Sequence, residues 1–186
     1  LKLVLIAVAL MAAINLEGQS PKSLEICGVP FSLGMTKADV EGKLDIPAAK
    51  PEARKQMVDL FLGGQNATLT GSMLGLPAGS DCSGILYFKK NDVVEIEQMI
   101  ASTSNAMELV NVVFMQLTKL TDGDIGRAAI ELKKVRLEEQ TTQLASQIIF
   151  ISINGRTVKI ATEQGNLEGR KIGPIAKVSM SIAKAR

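Results

Sequence analysis

The stretch SQIIFISINGRTVKIATE, residues 146 to 163, decides the fold. Its centre, Asn154-Gly155, is a two-residue hairpin signal, because a type I′ turn needs positive φ at both central positions and Asn and Gly adopt it at little cost. Such a loop sets Ile153 opposite Arg156, Ile151 opposite Val158 and Ile149 opposite Ile160. One face of the pair is then Ile149, Ile151, Ile153, Val158 and Ile160, and the other is Phe150, Ser152, Thr157, Lys159 and Ala161. A slip of one residue would mix the two sets, so burial of the first face fixes the register. The rest of the chain must supply a layer to cover it.

Working outward, Gly84 to Met99 reads as a second hairpin. A three-residue loop at Lys90-Asn91-Asp92 places Leu86, Phe88, Val94 and Ile96 on one face and Tyr87, Lys89, Glu95 and Glu97 on the other, which reads as solvated. Asn105 to Leu120 reads as a helix capped by Asn105, with Glu108 at N3. Its apolar stripe of Ala106, Leu109, Val110, Val113, Phe114, Leu117 and Leu120 is wide enough to cover a sheet. Ala128 to Gln140 fits a strand beside the first hairpin, bulged at Lys133-Lys134 where the alternation changes phase, with a helix as the alternative because Ala, Glu, Leu, Lys and Arg are good helix formers. Gln164 to Gly173 reads as a polar loop, and Ile175 to Ile182 as the last strand, with Ala176, Val178, Met180 and Ile182 on one face.

Toward the N-terminus, Thr36 caps a short helix with Asp39 at N3 and with Val40 and Leu44 on one side. Pro47 stops it. Pro51 opens a second helix, whose apolar side is Ala53, Met57, Leu60 and Phe61 and whose end is Gly63-Gly64. Gly63 to Ser80 reads as a flexible surface loop with one short strand near Ala67 to Met73. Together these elements define an α+β fold: a mostly antiparallel sheet, short N-terminal helices and one long central helix. The expected organisation is one domain over residues 21–186, with two similar lobes, 21–101 and 102–186, as the alternative.

Composition narrows the function. The chain has 186 residues, 22% of them charged, a net charge of +2 and no block of like charge, which disfavours an extended nucleic-acid footprint. Tyr87 is the only Tyr and there is no Trp, so the stacking platforms of single-strand nucleic-acid sites are missing. There is also no His, which removes Ser-His and Cys-His nucleophile pairs and ordinary His-containing zinc sites. No cofactor or metal is expected.

Residues 1–20 read LKLVLIAVALMAAINLEGQS. The apolar run Leu3 to Ile14 is too short for a bilayer crossing of about 20 residues but suits the central region of a secretory signal, with a cut after Ser20. Export places the protein in the periplasm or outside a bacterium, and in that setting Cys27 and Cys82 are expected to pair. A bridge closing a loop of this length stabilises by roughly 4 kcal/mol on the chain-entropy model.

The string Gly34-Met35-Thr36-Lys37, followed by Val40, Leu44 and Pro47, resembles the opening of the SmpA/OmlA family of small outer-membrane lipoproteins and of β-lactamase-inhibitor-protein-like domains. That resemblance implies two short helices before a three-stranded antiparallel sheet, and action by binding other proteins. The chain departs from the family in lacking a lipobox cysteine, in carrying Asp45 where a glycine is usual, and in its long second half.

Other motifs fall to their context. Ser181-Ile182-Ala183-Lys184 has the spacing of a Ser-x-x-Lys nucleophile, which needs a helical turn, yet it ends a strand. Thr121 to Asp124 has part of a calcium loop without the remaining acids and reads as a helix-ending turn. The glycines of 63–80 lack the lysine of a phosphate loop. The expected function is therefore a non-enzymatic binding or scaffolding protein whose partner is another envelope or extracellular protein. The alternatives are a carboxylate-dependent hydrolase using Asp81, Asp92, Glu95 and Glu97, and an inhibitor or immunity-type protein.

Overall fold

A computed structural model describes residues 21–46, 50–127, 129–139, 142–167 and 169–184. The expected leader and Pro47 lie outside the described residues. The fold is α+β with antiparallel sheets. A small hairpin pairs β1 (Ser23–Ile26) with β2 (Val29–Ser32); α1 (Lys37–Glu41) and α2 (Pro51–Leu62) follow. Then come β3 (Asn66–Thr70), β4 (Ser83–Lys89), β5 (Asp92–Thr103), α3 (Ala106–Thr121), β6 (Ala129–Glu139), β7 (Thr142–Ile153), β8 (Arg156–Leu167) and β9 (Arg170–Ala183). Seven strands make one sheet in the order β3-β4-β5-β9-β8-β7-β6.

The β7–β8 hairpin has the register its turn dictates: Ile153 faces Arg156, Ile151 faces Val158 and Ile149 faces Ile160. Asn154 and Gly155 take φ of 49° and 71°, both positive as a type I′ turn requires. The β4–β5 hairpin differs from expectation at its tip. Its loop has two residues, Lys90-Asn91, and the register shifts between Tyr87 and Phe88. Phe88 therefore pairs with Val93, which is fully buried, while Val94 is the extra bulge residue. Beyond the bulge, Tyr87 meets Glu95 and Leu86 meets Ile96, as a three-residue loop would also have placed them.

Other expectations are corrected too. β6 is a strand, but its pairing with β7 runs without a shift through Lys133 and Lys134, so no bulge lies there. The polar loop of 164–173 is absorbed into strands, because β8 continues to Leu167 and β9 begins at Arg170. Residues 63–80 are not a free loop: β3 pairs with β4, and a 3-10 turn over Gly71–Leu74 buries Leu74. On α2 the core side is Val58 and Leu62, whereas Met57 and Leu60 are exposed. The apolar stripe read from sequence is thus rotated away from the core.

One face of the large sheet is covered, and it carries two apolar clusters. In the first, β1, β2, α1 and α2 pack Leu24, Ile26, Phe31, Val40, Val58 and Leu62 over Leu69, Leu86, Val93, Ile96 and Ile182. α1 is positioned by a capping box: Thr36 Oγ1 accepts from Asp39 N–H at 3.2 Å, and Asp39 Oδ2 accepts from Thr36 N–H at 2.8 Å. Gly84 lets β1 come close, since a Cβ there would lie 2.6 Å from Ile26 Cδ1. A disulfide joins Cys27, in the β1–β2 turn, to Cys82 just before β4, with Cα atoms 5.5 Å apart. In the second cluster α3 lies over Ile151, Ile153, Val158, Ile160 and Val178.

Candidate functional site

α3 is fixed at both ends. Asn105 Oδ1 accepts from the N–H groups of Met107 and Glu108 at 2.9 and 3.2 Å, which meets two of the orphan donors of the first turn, and Thr103 donates to the Glu108 carboxylate. At the other end Asp122 takes the left-handed conformation, and Asn154 Nδ2 donates to Leu120 O at 3.1 Å, tying the hairpin turn to the helix. Thr121 to Asp124 is accordingly a helix-ending turn, and among the described residues no acidic group forms a metal cluster.

Between these anchors the helix has two apolar sides. Leu109, Val112, Val113, Leu117 and Leu120 pack on the sheet, though none is fully buried. Met107, Val110, Phe114 and Met115 point outward with 58 to 69% of their surface exposed. Positions 107, 110, 114 and 115 stand at i, i+3, i+7 and i+8, which is one continuous face. The stripe expected from the sequence sets Val110 and Phe114 toward the sheet. The structure turns the covering side about one residue, because Val112 rather than Val110 completes it. Four large exposed apolar side chains on one rigid helix form a patch of the kind that marks an interaction surface.

The opposite face of the sheet carries the carboxylate that sequence analysis set on a solvated side. Glu97 is buried, with 6% of its surface exposed. Tyr87 Oη donates to its Oε2 at 2.9 Å, Lys159 Nζ to its Oε1 at 3.2 Å, and Ser179 Oγ also to Oε1. Burial works to raise the Glu97 pKa, but the Ser179 hydrogen bond, the Lys159 charge and the Tyr87 hydrogen bond outweigh it and hold it below the usual range. Burial, together with the Glu97 charge, pushes the Tyr87 phenol well above its ordinary value. The group is an ionised carboxylate saturated by three donors from β4, β8 and β9.

That chemistry does not suit acid–base work, which needs two groups with separated pKa values and a free position for substrate. Of the other candidate acids, Asp81 and Asp92 are exposed, while Glu95 is half-buried two residues before Glu97 on β5, opposite Tyr87 in the β4–β5 register, and its charge adds to the upward shift of the Tyr87 phenol. Ser181 lies in β9, which runs to Ala183, and Lys184 follows the strand, so the two do not stand one helical turn apart. A further groove of about 590 Å³ lies beside β3, lined by Asp45, Ile46, Met57, Leu60, Phe61 and Met73. It is the consequence of the rotated α2 stripe.

Two apolar clusters under one seven-stranded antiparallel sheet, a saturated polar group on its other face and an uncovered helix side describe this α+β protein. Comparison with family models, with curated proteins and with solved structures gives no match. Among the described residues no helix is long and apolar enough to cross a membrane.

Proposed function

We propose that this chain is an exported bacterial binding or scaffolding protein, not an enzyme, which works in the periplasm or outside the cell by presenting the outer face of α3 to another envelope protein. The exposure of Met107, Val110, Phe114 and Met115 carries this reading. Leaving them wet has no role in the fold, whereas a rigid apolar helix face is ready to dock in a partner's groove. The Cys27–Cys82 bridge supports an oxidising compartment, and the apolar run of residues 3–14 supports export by a cleaved leader. The order α1, α2, β3, β4, β5 supports the SmpA/OmlA resemblance, and the two clusters support two packing units.

The test places a photo-cross-linking residue at position 114 or, as control, at the exposed Gln56, in chain exported from a bacterium. Heteromeric adducts with an envelope protein from position 114, lost in a Val110→Asp companion, are expected. A self-adduct of twice the chain mass, or adducts equal at both positions, would contradict the reading. The intact mass of the same material should show loss of about the first 20 residues and no alkylation of the two cysteines.

A further inference from the structure

The seam between the β1–β2 hairpin and α3 holds a cleft of about 430 Å³, within the range of small-ligand sites. Arg156, the first residue of β8, points into it from the covered side of the sheet, as its register with Val158 and Ile160 requires. The Asn154–Leu120 hydrogen bond sets this end of the hairpin against the last turn of α3, so Lys119 joins Arg156 on the cleft wall.

Arg156 Nε is buried and meets no acceptor. The terminal nitrogens of the guanidinium, which are not closed off in this way, make no hydrogen bond or ion pair with a described residue either, and a charged group without a partner is a place where a counter-charge is stabilising. The acid among the described residues of the wall is Glu25, and no ion pair joins it to Arg156. Two cations against one acid leave the wall with a net positive charge, suited to a single anion. Gln98 and Gln116 add amide groups, while Leu24, Leu120 and Met180 supply an apolar surface. Nε itself is closed to a ligand, so the two terminal nitrogens are the ones that match a planar carboxylate in two parallel hydrogen bonds.

We propose that this cleft binds a small organic monocarboxylate, its carboxylate on Arg156 and its hydrocarbon body against Leu24, Leu120 and Met180. The carboxylate has two possible sources, a free acid or the C-terminal residue of a peptide. The site is independent of the outer face of α3, none of whose residues lines it.

The test titrates four probes into the full chain: octanoate, the neutral octanamide, inorganic phosphate, and a short peptide ending in a free leucine carboxylate. Nitrogen-15 NMR follows the Arg156 Nε–H and the side-chain amides of Gln98 and Gln116. Saturable shifts of these groups with octanoate or the peptide are expected, with octanamide and phosphate at least about tenfold weaker, as for loss of a charge-assisted pair or of the apolar contact. The tighter of the two carboxylates identifies the source, and either supports the site. Arg156→Gln should weaken binding about tenfold or more, and Arg156→Lys by less. Phosphate or octanamide binding as well as octanoate, Arg156→Gln binding unchanged, or no shift at these groups up to about 1 mM probe would overturn the proposal. Should Arg156→Gln fail to fold, the wild-type titration decides alone.

Discussion

The two clusters under the sheet differ in how completely they are closed. Over β3–β5 the cover consists of a hairpin, two helices and a disulfide, and it buries Ile26, Phe31, Val40, Val58, Leu69, Leu86, Val93 and Ile96 almost entirely. Over β7–β9 the cover is α3 alone, which has no fully buried residue and leaves Met107, Val110, Phe114 and Met115 outside. The first cluster uses its apolar residues for stability. In the second, a single helix cannot bury two sides against one sheet, so its outer apolar side stays exposed.

The largest expected effect lies in the closed cluster. Phe31→Ala should cost about 3–5 kcal/mol in urea unfolding, the range for emptying a filled aromatic site. A loss below about 1 kcal/mol would mean that this cluster is as loose as the other. Next, reducing the Cys27–Cys82 bridge should cost about 2–4 kcal/mol, and the comparison sharpens if amide exchange then rises over β1, β2 and β4 while α3 is unaffected. Leu117→Ala, on the half-buried inner side of α3, should cost only about 1–2 kcal/mol.

The Glu97 group yields a spectroscopic test. Because Tyr87 is the sole tyrosine and there is no tryptophan, tyrosinate absorbance reports it without overlap. In the native protein it should ionise well above its ordinary pKa of 10.0, and Glu97→Gln should bring it back toward that value. The signs for stability follow from the directions of shift. Glu97 titrates below its ordinary 4.5 in the fold, so its contribution is complete above about 4.5 and fades as pH falls through the lower folded value. Tyr87 is held protonated, so its contribution is complete below about 10 and fades as pH rises through the higher folded value. A Glu97→Gln chain should therefore show a flatter acid limb of its stability curve, at a cost of about 1 kcal/mol near neutrality.

Much of the fold is legible in the sequence where a turn and an alternation agree. Asn154-Gly155 and the isoleucines around it leave one register, and the structure has it. The β4–β5 tip is not legible in the same way, because a three-residue loop and a two-residue loop with a bulge give the same pairing from Tyr87 onward; only the choice between Val93 and Val94 tells them apart. The β1–β2 hairpin is hard to see in the sequence although Leu24, Ile26 and Phe31 hint at it, since its turn uses Cys27 at φ 54°, a conformation seldom adopted by a residue other than Gly, Asn or Asp. Glu97 shows why the site was harder. Alternation correctly sets it on the face away from the apolar clusters, but its burial depends on Ser179 and Lys159, which reach it only through the β5–β9–β8 pairing. The rotation of α2 and α3 was hidden for the opposite reason: each helix has more apolar residues than one side can use.

The most direct measurement compares Phe114→Asp with Leu117→Asp in denaturant unfolding. The two positions are one turn apart on the same helix, and a charge is tolerated only where the side chain is already in water. Phe114→Asp should unfold within about 0.5 kcal/mol of the unaltered chain, and Leu117→Asp should lose about 2 kcal/mol or more. Equal losses, or a larger loss at Phe114, would show that the outer side of α3 is part of the fold and would remove the surface on which the proposed function rests.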